Sequence, residues 1–116
     1  MALSSFNIST ARLKMAGLDN NKRTGNPIIA IHGWLDNAAS FIPLSEQLGV
    51  DRPFYALEIP GHGLSEHRAN STTYHLVENI LDVLAFISEV TQNSDTKVTL
   101  IGHSLGGIVC ALLAAA

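Results

Sequence analysis

Three short apolar runs, each leading into a glycine-bearing polar segment, constrain this chain more than any other feature. Pro27-Ile28-Ile29-Ala30-Ile31 is followed by His32-Gly33-Trp34-Leu35-Asp36-Asn37. Phe54-Tyr55-Ala56-Leu57 passes through Glu58 to Pro60-Gly61-His62-Gly63-Leu64-Ser65, and Val98-Thr99-Leu100-Ile101 leads into Gly102-His103-Ser104-Leu105-Gly106-Gly107. Continuous runs of this kind are how strands buried on both faces of a parallel sheet read. Helical patterns lie between them. Phe41, Leu44 and Leu48 recur at helix spacing, with Pro43 admissible in the first turn. Tyr74, Val77, Ile80, Leu81, Leu84 and Ile87 form a longer amphipathic pattern that Thr72 or Thr73 can cap, and a third helix follows Ser104 directly. The alternation predicts an α/β fold of βαβ units with right-handed crossovers: a mostly parallel sheet with helices on both faces. Ahead of it, Phe6–Ser9 and Ala11–Met15 alternate apolar with polar, and Asn20-Asn21 and Thr24-Gly25-Asn26 punctuate as turns, which predicts an N-terminal antiparallel hairpin or edge strands.

Composition narrows the function classes. With 47% hydrophobic and 15% charged residues, the chain has the makings of a packed core, and 116 residues hold one domain at most. Seven basic against ten acidic residues give a formal charge of −3, too weak a balance to argue for nucleic acid or an anionic membrane as partner. A single cysteine, Cys110, excludes an internal disulfide framework and a Cys-rich zinc site, and residues 1–5 carry no secretion signal, so a cytoplasmic location is expected. From Val98 to Ala116 no residue is formally charged, a length that invites a transmembrane reading. His103, Ser104 and three glycines divide it into a strand and a helix, each too short to span a bilayer. The final Leu112–Ala116 has no Gly or Asn cap and no basic last turn, so residues 1–116 read as a single, incomplete domain.

In sheets of this type a ligand site is expected at the carboxyl ends of the strands, where the three polar segments fall. Gly102-His103-Ser104-Leu105-Gly106 matches G-x-S-x-G between a predicted strand and a predicted helix, the context that pattern requires. A serine on so sharp a turn takes a strained backbone, and side chains two residues to either side would collide with the neighbouring helix and strand. The helix N-terminus and the Leu105 amide then face any developing oxyanion. A glycine-rich connection that only lets the helix pack closely would share the pattern. Phosphate-binding readings fail on residues: Ile108-Val109 follows Gly107 where a P-loop needs Lys-Ser or Lys-Thr, and Glu66 stands where a dinucleotide fingerprint from Gly61 needs its third glycine. No cofactor and no metal is expected.

The three motifs together, in this order, resemble the α/β-hydrolase fold family and, within it, the serine-hydrolase-like branch, from about Pro27 to Ala116. The resemblance implies that Ser104 matches the family's nucleophile, that Leu105 supplies one oxyanion-hole amide, and that Trp34 supplies the other. It implies a small acyl substrate, an ester or thioester, processed through an acyl-enzyme; a serine at the turn argues against branches with an aspartate nucleophile. The chain would then be the N-terminal part of such a fold.

The surrounding polar residues admit plainer readings. His32 and Gly33 precede Trp34, and His32 either orients that loop through hydrogen bonds or is a satisfied buried histidine. His103 is expected to line the site and not to act as base, because successive side chains at the turn point apart. His62 is expected to stabilise its glycine turn, and Asp36 to shape the mouth of the site or to be an ordinary loop carboxylate. His67-Arg68 resembles the family's continuation, and by composition alone it reads as a solvated loop. After Ser104 the sequence contains no Asp, Glu or His, although the family's order is serine, then acid, then histidine. The alternative function is therefore a non-catalytic α/β-hydrolase-like module or an inactive fragment. The substrate and the oligomeric state are not legible.

Overall fold

The computed structural model describes residues 3–68, 75–91 and 95–115. Its elements are β1 (Ser4–Ser9), β2 (Lys14–Asp19), β3 (Ile28–Ile31), a 3-10 turn (Ala38–Phe41) leading into α1 (Ile42–Leu48), β4 (Phe54–Glu58), α2 (Leu76–Thr91), β5 (Thr99–Gly102) and α3 (Leu105–Ala115). They form one five-stranded sheet in the order β1-β2-β4-β3-β5. The β3–β4 and β3–β5 pairs are parallel; β1–β2 and β2–β4 are antiparallel, so β2 alone runs against the others.

Side chains alternating across β3 and β4 build two cores, because successive residues of a strand face opposite sides of the sheet. Ile29, Ile31, Tyr55 and Leu57 pack with Val83 and Phe86 of α2 and Val109 and Cys110 of α3. Ile28, Ala30, Phe54 and Ala56 pack with Ala38 and Phe41 of the 3-10 turn on the other face. Burial on both sides is why these two strands read as unbroken apolar runs. Chain direction across the sheet reverses at β3: the connection to β4 passes over one face, and the connection from β4 to β5 over the other. Such a reversal is where open α/β sheets leave a crevice at the carboxyl ends of the strands.

Several expectations shift. The hairpin forms, but its second strand starts at Lys14, since Thr10 closes the turn by accepting the N–H groups of Arg12 and Leu13, each at 3.1 Å, and donating its hydroxyl to the Leu13 carbonyl at 2.7 Å. In α1, Leu44 and Leu48 are exposed, and only Phe41 of that pattern enters the core. β5 is half-buried, not buried, because among the described residues it pairs with β3 on one side only. Tyr74 and the caps Thr72 and Thr73 lie outside the described residues.

The buried face of α2 is Asn79, Asp82, Val83 and Phe86, while Val77, Leu81 and Leu84 are exposed. Asp82 is fully buried, which a carboxylate tolerates only when paired and hydrogen-bonded. It meets two guanidinium groups: Arg12 Nε from the hairpin turn at 2.8 Å, and Arg68 Nη2 from the segment after β4. Arg12 also pairs with Glu78. Arg68 is thus an almost fully covered structural cation, and the solvated reading of His67-Arg68 holds only for the exposed His67. Among the described residues no helix is long and apolar enough to cross a membrane.

Candidate active site

The site grows from the ends of β3, β4 and β5. At β5 the backbone turns into α3 through Ser104, which is exposed and holds the left-handed φ of +55°. A non-glycine residue there stores strain of about 1–3 kcal/mol, maintained by its surroundings. The surroundings are close-packed: a Cβ on Gly102 would lie 2.4 Å from the Gly106 carbonyl oxygen, and a Cβ on Gly106 would lie 2.0 Å from that of Ile31. Both distances are far inside contact, so the two expected glycines are obligatory where the helix start meets the strands. Ladder bonding continues past the strand, with His103 N–H donating to the Ile31 carbonyl at 3.1 Å.

Gly33 is the meeting point with the loop after β3. A Cβ there would approach Ser104 Cβ, His103 Nδ1 and the His103 carbonyl, each at 3.4 Å. Trp34 and Leu35 follow, 71% and 75% exposed, and Leu35 has a left-handed φ of +63°. Among the described residues neither the Trp34 N–H nor the Leu105 N–H is donated to a protein acceptor; the latter is one of the open donors at the start of α3. The structure thus brings Ser104, Gly33, Trp34, His103 and Leu105 into one neighbourhood. Asp36 stands slightly apart, accepting the Asn37 N–H at 2.8 Å and the Ser40 hydroxyl at 2.6 Å, and these bonds hold its carboxyl below its ordinary range. Its visible task is closing the turn into the 3-10 segment.

His32 is fully buried and does both things allowed for it. Its Nε2 accepts the Ile59 N–H at 3.2 Å, so the ring proton sits on Nδ1, which donates to the Gly33 carbonyl at 2.6 Å. Burial pushes its pKa below the ordinary 6.5. The unfolded chain therefore binds the extra proton more readily, so this contribution to stability is complete above about pH 6.5 and is lost as the pH falls through that range. Thermal melts of the wild type should drop in Tm between pH 7.5 and 5, and His32→Asn should flatten that dependence; parallel slopes would count against the assignment.

One residue escaped the sequence reading. Glu58, 8% exposed at the end of β4, accepts the Ala38 N–H on Oε2 at 3.1 Å and the Leu64 N–H on Oε1 at 2.9 Å, joining the loops after β3 and β4. Gly63, with φ of +51°, lies so close that a Cβ would stand 2.0 Å from the Glu58 carboxyl carbon. The signal was a lone carboxylate closing an apolar run immediately before a double-glycine turn. Ser65, also buried, accepts the Ala16 N–H at 2.8 Å and donates to the Glu58 carbonyl, which ties the same turn to β2. His62 does more than stabilise its turn, since its Nε2 accepts the Leu35 N–H at 3.0 Å.

Beside these loops lies a cleft of about 540 Å³ walled by Trp34, Leu35, Pro60, Gly61, His62, His67, Leu76, Asn79 and Leu105. None of these residues carries a carboxylate, an ammonium or a guanidinium group. Among the described residues no cluster of His, Cys, Asp or Glu could hold a metal ion.

Residues 26–116 match the sequence model of the family described as the alpha/beta hydrolase fold. The chain belongs to the α/β-hydrolase fold family. Within it the chain sits in the serine-hydrolase-like branch. It is 40% identical over 90 residues to a probable serine hydrolase of Drosophila melanogaster, covering 77% of this chain and 26% of that protein. It is 35% identical over 85 residues to a pimeloyl-[acyl-carrier protein] methyl ester esterase of Shewanella oneidensis, covering 73% of this chain and 28% of that protein. A solved structure of a hypothetical protein from Pseudomonas aeruginosa PAO1 superposes with a TM-score of 0.84 at 39% identity, over 95% of this chain and 38% of that one. The chain spans about a quarter of the length of these curated relatives.

Proposed function

We propose that these 116 residues are the nucleophile-bearing part of a cytoplasmic serine hydrolase that cleaves an ester, thioester or related acyl substrate. The observation that carries this reading is Ser104: an exposed hydroxyl on a left-handed residue at the strand-to-helix turn, beside two N–H groups with no acceptor among the described residues. Ser104 Oγ attacks the acyl carbonyl, and the oxyanion is received by the N–H groups of Leu105 and Trp34. The leaving group departs to give an acyl-enzyme, which water clears. The cleft wall, free of carboxylate, ammonium and guanidinium groups, suits a neutral, mainly apolar substrate of small-molecule size. No cofactor or metal takes part in the proposed reaction. The esterase among the relatives supports the ester class.

This reading places the general base and its acid outside this segment. No Asp, Glu or His follows Ser104, and the ring nitrogens of His32 and His62 are engaged with backbone groups. That same observation favours the second reading, a module of this fold without catalysis. A chimera decides between them, in which this segment replaces the corresponding part of the Drosophila melanogaster relative. The hydrolase reading expects turnover of an activated short-chain ester and a fluorophosphonate adduct located on Ser104 by mass spectrometry. A folded chimera that neither turns over nor labels supports the non-catalytic module.

A further inference from the structure

We propose that His62 is a positioning residue: its Nε2 fixes the Trp34–Leu35 peptide while His32 fixes the preceding one, so that two neighbouring imidazoles set the direction of the Trp34 N–H. The link to catalysis rests on the function proposed above; the positioning itself does not. The Gly33 carbonyl and the Trp34 N–H belong to one planar trans peptide, so a carbonyl held by His32 Nδ1 at 2.6 Å points that N–H the opposite way. The next peptide carries the Leu35 N–H, and this is held by His62 Nε2 at 3.0 Å. Trp34 lies between the two clamped planes.

A turn bond also holds the loop, since the Asp36 N–H donates to the Gly33 carbonyl at 3.2 Å beside His32, but the Leu35 N–H is held by His62. Leu35 is 75% exposed and left-handed, so neither burial nor residue preference favours its conformation. The ring that holds it is anchored. Since Leu35 N–H must donate, Nε2 is bare and the proton of His62 sits on Nδ1, facing the Pro60 carbonyl at 3.3 Å. The His32 and His62 rings lie with centroids 5.0 Å apart. The motifs after β3 and β4 therefore act as one unit, with Glu58 joining them at a second place through Ala38 and Leu64.

The test uses the 116-residue chain, whose single tryptophan is Trp34. Amide exchange at Leu35 by NMR and Trp34 emission are compared in wild type, His62→Ala and His62→Gln, the last keeping an acceptor at the end of the side chain. His62→Ala should speed Leu35 exchange by about fivefold, the worth of one hydrogen bond, and shift the emission. His62→Gln should stay near wild type in both readouts. Unchanged exchange in His62→Ala, or a His62→Gln that behaves like His62→Ala or fails to fold, overturns the proposal. If His62→Ala alone does not fold, His62→Phe, which fills the space without offering an acceptor, takes its place, and Leu35 exchange at the wild-type rate there overturns the proposal in the same way. Ser104→Ala leaves both readouts unchanged, so failure of the hydrolase reading and failure of the clamp are separable.

Discussion

Ser104→Ala in an active chimera is expected to lower kcat by about 10⁶-fold, the scale on which loss of the nucleophile removes triad catalysis. The fold should survive. The substitution deletes one exposed oxygen and creates no cavity, and exposed changes away from buried networks shift stability by only about 0.5 kcal/mol. The 116-residue chain alone should already sit at the same floor. The proposed reading leaves Ser104 without a base there: Nε2 of His32 accepts from Ile59 and Nε2 of His62 from Leu35, no Asp, Glu or His follows Ser104, and burial pushes the pKa of the Cys110 thiol up. The measurement is hydrolysis of an activated ester by wild type and Ser104→Ala, each as the chimera and as the short chain. Equal rates for the two chimeras, or Ser104-dependent turnover by the short chain, would contradict the assignment.

What the sequence disclosed depended on whether burial was accomplished by apolar groups. β3 and β4 were legible because each is covered on both faces, which leaves an unbroken apolar run. The turn at Ser104 was legible because glycine is demanded on both sides of it, and Gly102 and Gly106 are indeed wedged against backbone. The buried face of α2 was not legible, although Asn79, Asp82, Val83 and Phe86 keep perfect helical spacing. Its first two members are polar, and a search for apolar periodicity counts them as solvent-facing. Asp82 is buried because Arg12, 70 residues away, and Arg68, 14 residues away, converge on it. No local pattern encodes such a pairing. Glu58 and the second bond of His62 were hidden for the same reason: each acts on a backbone N–H of the loop after β3, at Ala38 and Leu35, and backbone acceptor needs leave no trace in side-chain composition.

Two adjacent glycines at the start of α3 should give opposite outcomes. Gly106→Ala puts a methyl group 2.0 Å from the Ile31 carbonyl oxygen and 2.7 Å from that of His32. Both atoms are main chain, Ile31 is fully buried at the end of β3, and its carbonyl already accepts the His103 N–H, so neither partner can yield without breaking the β3–β5 register. A cost above about 4 kcal/mol follows, a large part of the roughly 5–15 kcal/mol that holds a domain of this size. Gly107→Ala meets nothing closer than the Gly102 carbonyl oxygen at 3.5 Å, an ordinary contact, and replaces a glycine inside a helix. That change should stabilise by about 0.5–1 kcal/mol. Circular-dichroism melts of the two variants beside wild type check the pair. A cooperative transition for Gly106→Ala at the wild-type temperature would mean that α3 can slide away from β3, and the rigid turn that presents Ser104 would have to be abandoned.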